Sequence, residues 1–123
     1  PALTRAEKLQ RKAGKVGFDW NDPRAVLAKL REEIDEIEAE LDTGSRDAQE
    51  DELGDVLFCV VNLARHLDLD SEMALKRTNI KFQQRFAYIE DRLAEQGTPF
   101  KEASLEQMEA LWVEAKQCSK ASV

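Results

Sequence analysis

Four acidic side chains in the first half of the chain have the types and the spacing of a metal site. Glu33 and Glu36 are three residues apart, and Glu52 and Asp55 repeat that spacing. Residues three apart on a helix share a face, so each pair projects from one side. Carboxylate oxygens are hard donors that suit Mg²⁺, with Mn²⁺ as a substitute, whereas Zn²⁺ favours His or Cys. We therefore expect a Mg²⁺ site here.

The register of the two pairs strengthens this expectation, because either pair alone is more typical of a solvated helix face. With Gly44 as the turn of an antiparallel helical hairpin, Glu36 lies eight residues before it and Glu52 eight after. Glu33 and Asp55 each lie eleven residues away. Equal distances place Glu36 opposite Glu52 and Glu33 opposite Asp55. The four carboxylates are expected to share one patch.

A bound cation would offset the electrostatic repulsion among four neighbouring carboxylates. Each acid directly precedes an apolar residue, so both pairs border the seam between the helices. The competing interpretation is a di-iron bundle, whose ligands include Glu-x-x-His pairs. The single histidine, His66, has Leu63 three positions before it. This spacing argues against a di-iron site.

Basic residues further along the chain are candidates for phosphate binding. Arg77, Lys81 and Arg85 are four residues apart and form one stripe on a helix. A solvated surface face is an equally good interpretation of the stripe on its own. Beside a Mg²⁺ centre, these cations would balance the remaining charge of a triphosphate. Lys29, one turn before Glu33, is a further candidate.

Three aromatic residues, Trp112, Trp20 and Phe18, could stack on a nucleobase, although a position in the core is the more common role. His66 and the two cysteines are interpreted as core or surface residues without a catalytic role. The Gly14-Lys15 dipeptide is not a P-loop, because that motif requires a glycine five residues earlier and a preceding strand.

The elements that position these residues are predicted to be helices. Only five Gly and three Pro punctuate the 123 residues, and no segment alternates with period two. The fold class is therefore all-α, a bundle of four to five helices. The predicted helix starts are a capping box at Thr4 and Glu7, Asp22 with Pro23, Ser45, Asp70 or Ser71, and a capping box at Ser104 and Gln107. The first helix is predicted to end at Gly14 or Gly17, the second at Gly44, and the fourth at Gln96, before Gly97. The last helix is expected to be short.

The third predicted helix is apolar on several sides. Its expected core face contains Leu53, Val56, Val60, Leu63 and Leu67, and further apolar residues surround that face. The second helix is expected to bury Leu27, Leu30, Ile34, Ile37 and Leu41. A helix that is apolar all round needs more than one neighbour. We expect it to lie at the centre of the bundle and at the interface of a homodimer.

Composition limits the remaining possibilities. A chain of 123 residues suits a single domain, and the longest apolar run, residues 56–61, is too short to span a bilayer. The net charge of −7 argues against nucleic-acid binding. The chain begins with Pro1 and shows no secretory leader, so we expect a cytoplasmic domain excised from a longer protein.

The same residues resemble a known family. Residues 32–36 read Glu-Glu-Ile-Asp-Glu, and residues 52–55 read Glu-Leu-Gly-Asp. Together they resemble the E-E-x-x-E and E-x-x-D metal motif of MazG-type nucleoside triphosphate pyrophosphohydrolases. Residues 10–13 and 16–20 are similar to the opening of the C-terminal domain of two-domain MazG proteins. Residues 79–86 resemble its N-x-K-F-x-x-R-F stretch, and Trp112 with Lys116 resembles its final helix.

The resemblance implies an all-α homodimer that uses Mg²⁺ to convert a nucleoside triphosphate to the monophosphate and pyrophosphate. It implies metal ligands at Glu33, Glu36, Glu52 and Asp55, phosphate contacts at Lys81 and Arg85, nucleotide contacts at Lys29 and Glu32, and a base or ribose contact at Trp112. Glu32 lies beside the cluster of four ligands without an opposing partner, and is the candidate for deprotonating the attacking water.

Two alternatives stay open at the level of the sequence. One is a related pyrophosphohydrolase with a narrow substrate, such as phosphoribosyl-ATP or a deoxynucleotide. The other is a non-catalytic helical module that binds a nucleotide or a protein and uses its acids only as surface charge.

Overall fold

The computed structural model describes residues 1–121, and over that range all regular secondary structure is helical. A short 3-10 helix, Phe100–Glu102, precedes the last of five α-helices. These are α1 (Ala2–Gly14), α2 (Pro23–Thr43), α3 (Arg46–His66), α4 (Ser71–Glu95) and α5 (Leu105–Ala121). The all-α prediction is confirmed. None of the helices in the described range has the length and apolar composition needed to cross a bilayer.

Side-chain caps fix the starts of α2 and α3, the two helices that carry the acidic motif. The Asp22 carboxylate accepts a hydrogen bond from the Ala25 N–H at 3.0 Å, with Pro23 at the first helical position. The Ser45 hydroxyl accepts from the Ala48 N–H at 3.1 Å. Each bond satisfies a backbone donor that has no partner within the helix. Both predicted starts are confirmed.

The other helix ends agree in part with the sequence. Ser104 and Gln107 form the predicted capping box, with reciprocal bonds of 2.8 and 3.1 Å. The capping box at Thr4 is wrong, because α1 already begins at Ala2 and Glu7 instead pairs with Arg11 at 2.7 Å. The last helix is also longer than expected, at 17 residues.

Replacing Asp22 by Ala should destabilise the protein by about 1 kcal/mol, because it leaves the first-turn N–H groups of α2 without a side-chain acceptor. Urea denaturation would measure the change in the free energy of unfolding. Asn21→Ala is the matched control, since Asn21 is exposed and lies just outside the helix. Equal losses in the two variants would contradict the assigned cap.

Contacts divide the chain into two compact units, Pro1–Ala74 and Leu75–Val123. In the first unit, α3 packs against both α2 and α1. The connection between α2 and α3 is only Gly44 and Ser45. A β-carbon at Gly44 would lie 2.7 Å from the backbone oxygen of Glu40, so the close approach at this turn needs glycine. The predicted turn at Gly44 is confirmed.

The buried face of α3 differs from the predicted one. Cys59, Val61 and Asn62 are buried, whereas Leu53 is 49% and Val60 41% exposed. On α2, the predicted core residues Ile34 and Leu41 are 46% and 65% exposed, and the buried residues are Val26 and Glu33. Periodicity identifies apolar faces, but it does not say which face is covered within one chain. Apolar stripes on both helices are therefore exposed to solvent in a single chain.

The second unit is held by apolar packing between α4 and α5 and by a polar contact beside it. Ile89, Leu93 and Leu111 form the buried cluster, and Trp112 packs against it. The Glu114 carboxylate accepts hydrogen bonds from the Tyr88 hydroxyl and, at 3.2 Å, from Arg92 Nε.

Candidate functional site

Three of the four predicted metal ligands meet where α2 packs on α3. Glu33, Glu36 and Glu52 each offer one carboxylate oxygen, and these oxygens lie within 4.8 Å of one another. Glu33 is buried, Glu52 half-buried and Glu36 exposed. The cluster is therefore a partly covered group of oxygen donors, with Glu36 on its exposed side. Its composition, three carboxylates without a nitrogen or sulfur donor, suits a hard divalent cation.

Lys29 balances part of the negative charge. Its ammonium nitrogen lies 3.0 Å from Glu33 Oε1 and 3.5 Å from Glu32 Oε2. The two pairs follow the i, i+4 and i, i+3 spacing on α2. The Lys29 ammonium, together with contacts to Glu36 and Glu52, lowers the pKa of the Glu33 carboxyl despite its burial. Glu33 is thus held as an anion inside the protein.

Glu52 is in the opposite electrostatic situation. Burial, followed by the neighbouring carboxyl of Glu36 and the charges of Glu33 and Asp55, raises the pKa of Glu52 from 4.5 to about 7. Without a cation, this group therefore keeps its proton well above the range of an ordinary Glu. A positive charge placed among the carboxylates would favour the ionised form instead.

Two orphaned oxygens make the cluster suitable for a metal. Glu33 Oε2 and Glu52 Oε2 are both buried, and neither has a hydrogen-bond partner. Buried polar atoms are almost always paired in folded proteins, so two unpaired carboxylate oxygens in one cluster need an explanation. A divalent cation coordinated by these atoms would supply the missing interaction for both. The residues present fit Mg²⁺.

Stability without metal should fall as the pH rises from about 4.5 to about 7 because of Glu52. In this interval the folded protein keeps a proton on Glu52 that the unfolded chain has released, so the folded state binds more protons. Urea denaturation with a chelator at about pH 5 and about pH 7.5 would measure the decrease. Glu52→Gln should flatten the profile relative to wild type. Identical profiles for the two proteins would rule out Glu52 as the cause.

Asp55 and Glu32 lie at the edge of the cluster. Asp55 is exposed and outside the group of three, although its charge contributes to the raised pKa of Glu52. Its role as a metal ligand stays a prediction from the motif. The Glu32 side chain is 66% exposed and is within ion-pair distance of Lys29. The Glu32 carboxylate is therefore largely open to solvent, and its role as a proton acceptor stays a prediction.

The remaining predicted site residues belong to the second unit. The Arg85 guanidinium lies over the Trp112 ring, 5.4 Å from its centroid. The Nε atom of Arg85 is buried without a hydrogen-bond partner. Lys81, one turn earlier on α4, is exposed. Arg85 and Trp112 are therefore together, while the phosphate-binding roles of Lys81 and Arg85 stay predictions.

The aromatic residues do not all behave as core residues. Trp112 packs on the core of the second unit, as favoured from the sequence. Phe18 is 80% exposed and Trp20 is 41% exposed, so the core interpretation is wrong for both. Their position in a loop, outside any helical periodicity, is the signal that distinguishes them from Trp112.

A polar cluster that the sequence did not reveal anchors this loop. Asp19 Oδ1 lies 2.6 Å from Arg65 Nη2 and 3.0 Å from His66 Nε2, and accepts the Trp20 N–H at 2.8 Å. The same Arg65 nitrogen donates to Asn62 Oδ1 at 2.6 Å. The Arg65 guanidinium holds the pKa of Asp19 down at about 2. The partners are far apart in sequence, so spacing alone could not pair them.

Comparison with known proteins identifies the family. The model of the MazG nucleotide pyrophosphohydrolase domain matches residues 21–89, which include the acidic cluster. The nucleoside triphosphate pyrophosphohydrolase of Escherichia coli K12 is 43% identical over 119 residues, 95% of this chain and 45% of that protein. The nucleoside triphosphate pyrophosphohydrolase/pyrophosphatase MazG of Thermotoga maritima is 39% identical over 116 residues, 94% of this chain and 44% of that protein.

A third relative places the similarity within a much longer protein. The uncharacterized protein YabN of Bacillus subtilis is 46% identical over 71 residues, which are 58% of this chain and 14% of that protein. The chain also spans just under half the length of the Escherichia coli and Thermotoga maritima relatives. The match of the domain model across the helices that carry the acidic cluster shows that this chain belongs to the MazG nucleotide pyrophosphohydrolase family.

Proposed function

We propose that this chain hydrolyses nucleoside triphosphates to nucleoside monophosphate and pyrophosphate with Mg²⁺ as cofactor. The observation that carries the proposal is the convergence of Glu33, Glu36 and Glu52, with buried oxygens of Glu33 and Glu52 that lack any partner. The names of the Escherichia coli and Thermotoga maritima relatives support the choice of a triphosphate substrate and of pyrophosphohydrolysis.

Glu33, Glu36 and Glu52, with Asp55 beside them, would hold the cation. When bound there, Mg²⁺ would supply positive charge to the phosphates and lower the pKa of a nearby water. Glu33 is kept ionised by Lys29 and therefore needs no deprotonation before it binds a cation. Glu52 would have to lose its proton first.

The reaction requires a proton acceptor and cations for the phosphates. Water would attack the α-phosphorus, the bond to the bridging oxygen of the β-phosphate would break, and pyrophosphate would leave. Glu32 would accept the proton of the water, since its carboxylate is exposed beside the cluster. Lys29 would contact the nucleotide, and Lys81 and Arg85 would stabilise the charge on the leaving group.

Arg85 and Trp112 are further candidates for substrate recognition, as the resemblance implies. Trp112 has the Arg85 guanidinium over its ring and would contact the base or ribose. The buried Nε of Arg85 is a donor without a protein acceptor, which is consistent with a role in binding an anion.

A homodimer would cover the apolar stripes that a single chain leaves open. Leu53 and Val60 of α3 and Leu67, which directly follows that helix, recur every seven residues and are between 41% and 49% exposed. Ile34 and Leu41 repeat the seven-residue spacing on α2. Paired stripes of this kind are the usual contact surface between helices of two subunits.

Product analysis tests the reaction. Chromatography after incubation with Mg²⁺ and a nucleoside triphosphate should give monophosphate and pyrophosphate in equal amounts. Release of orthophosphate and nucleoside diphosphate would overturn attack at the α-phosphorus. Binding of the nucleotide without any product would favour the non-catalytic module.

Glu36→Gln tests the link between the reaction and the acidic cluster. We expect a higher Mg²⁺ concentration at half-maximal rate and a rate at limiting Mg²⁺ at least about 10-fold lower, because one anionic donor is lost. Glu38→Gln is the matched control, an exposed acid on the same helix outside the cluster. Equal Mg²⁺ requirements for the two variants would contradict the assigned site.

A further inference from the structure

The indole ring of Trp112 has neighbours from both helices of the second unit. It packs against the buried cluster of Ile89, Leu93 and Leu111. The Phe82 ring lies 5.6 Å from it, centroid to centroid, with the two ring planes tilted by 49°. Aromatic rings in contact at such distances stabilise each other beyond the area that they bury. The position of the Trp112 ring is therefore set by side chains of both α4 and α5.

Phe82, the aromatic neighbour of Trp112, is itself supported by further rings. It stacks on Phe86, with the centroids 5.9 Å apart and the ring planes at 7°. Phe86 in turn stacks on Phe100 at 5.4 Å. The rings thus form a continuous row from Trp112 to Phe100. This row supports the indole from the side of α4.

The Arg85 guanidinium is held by the Trp112 ring rather than by a carboxylate. Its carbon Cζ lies 5.4 Å from the ring centroid, and among residues 1–118 no carboxylate lies within ion-pair distance of it. Arg92, two turns later on α4, is instead paired with Glu95 at 2.7 Å and with Glu114 at 3.2 Å. A cation–π contact holds a guanidinium without neutralising its charge. Arg85 is therefore fixed in place and keeps its full positive charge.

The contact with the ring also leaves the hydrogen-bond donors of Arg85 for an anion. A guanidinium has five N–H donors and no acceptor, and the Nε atom of Arg85 is buried without a partner. A flexible arginine loses side-chain freedom when it binds a ligand, and a guanidinium that already rests on a ring loses less. Trp112 therefore prepares Arg85 for an anionic ligand.

We propose that Trp112 is the positioning residue of Arg85, and that the ring and the guanidinium together form an anion subsite for the phosphate chain of the substrate. The inference rests on the proposed function only for the identity of the anion. It gives the ring a role in phosphate affinity, which is separate from the base or ribose contact that the resemblance implies. A phosphate ligand without a base should therefore bind more weakly when the ring is removed.

Equilibrium binding with two probes tests this role. The first probe is inorganic tripolyphosphate, which has no base, and the second is ATP with a methylene group in place of the α–β bridging oxygen. Calorimetry in the presence of Mg²⁺ gives a Kd for each. Trp112→Leu keeps an apolar side chain without a π-face, and should raise the Kd of tripolyphosphate by about 5-fold. Trp112→Phe keeps an aromatic face and should recover most of that affinity.

Two further variants connect the effect to the guanidinium. Arg85→Gln alone should raise the Kd of tripolyphosphate by about 10-fold, because it removes a charged donor. Adding Trp112→Leu to Arg85→Gln should cause no further change, since the ring then has no cation to position. Met108→Ala is the matched control, because Met108 packs against the same buried cluster as Trp112 but has no aromatic face. It should leave both Kd values unchanged.

Several outcomes would overturn the positioning role. Wild type that does not bind tripolyphosphate is one, and weaker binding of the nucleotide alone in Trp112→Leu is another, because the ring would then contact only the base. Equal losses in Met108→Ala and Trp112→Leu, or no recovery in Trp112→Phe, would assign the ring a purely structural role. A full additional loss in the Arg85→Gln background would mean that the ring does not act through Arg85. Failure of the wild type to release products bears on the proposed reaction alone, because these binding constants do not depend on turnover.

Discussion

Glu52→Gln should reduce kcat/KM by about 10³-fold, because a bound cation is worth several kcal/mol of transition-state stabilisation and this variant removes one of its anionic ligands. The same variant should stabilise the metal-free protein at about pH 8. The ordinary pKa of a glutamate is 4.5, yet Glu52 ionises only near 7 in the folded state, so above that pH its charge opposes folding. Gln keeps the shape of the side chain without that charge.

The two effects of Glu52→Gln have opposite signs, and that makes the experiment decisive. A residue that served only the fold would lose stability and activity together when replaced. Steady-state kinetics gives the first quantity, and urea denaturation with a chelator at about pH 8 gives the second. Glu50→Gln is the matched control, an exposed acid two positions earlier on α3. Lower stability of Glu52→Gln than of wild type would contradict the electrostatic account.

Val60→Asp should shift the protein from dimer to monomer. Val60 lies in the middle of the open apolar stripe of α3 and is 41% exposed in the single chain. Burying an unpaired carboxylate at an interface costs several kcal/mol per subunit, so the dissociation constant should rise by about 10³-fold or more. Sedimentation velocity over a range of protein concentrations would measure the change.

A control and a second measurement keep the dimer prediction testable. Ala39→Asp adds the same charge at an exposed position of α2 and should leave the dimer intact. An obligate dimer often has no stable monomer, so Val60→Asp could unfold when it dissociates. The helix content of the wild type and of Val60→Asp is therefore measured by circular dichroism as each protein is diluted. A wild type that sediments as a monomer at all concentrations, or a Val60→Asp dimer of unchanged affinity, would refute the proposed interface.

Local signals made the helix starts predictable. Asp22 and Ser45 cap through a side chain that reaches a backbone N–H only three residues away, so the sequence contains both partners. Thr4 with Glu7 has the same signature, but Glu7 is also four residues from Arg11, and the ion pair formed instead. Short motifs therefore predict a cap only where no equally close partner competes.

The acidic cluster shows what residue counting can and cannot provide. The equal distances of Glu36 and Glu52 from Gly44 correctly predicted that these two carboxylates lie close together. Glu33 joined them, whereas Asp55, its expected partner, lies exposed outside the group. Counting residues gives the level along a helix axis, but the rotation of each helix about its own axis is set by tertiary packing.

Contacts between residues far apart in the chain could not be predicted from the sequence. Asp19 and Arg65 are separated by 46 positions, and no periodicity links a loop residue to the end of another helix. The exposure of Phe18 was indicated only by its position in a loop, because an isolated aromatic does not show whether a neighbour covers it. Both features require knowledge of how α1 and α3 come together.

The two-residue connection at Gly44 and Ser45 restricts how the lengths of α2 and α3 can change during evolution. A single residue inserted between Glu36 and Gly44 would rotate Glu36 by about 100° around the helix axis and carry it away from Glu52. Insertions of seven residues in both helices would nearly restore the original face, and extra residues in the connection itself would leave both faces where they are. Insertions and deletions among functional relatives should therefore concentrate in the connection, or occur as matched whole-turn changes on its two sides.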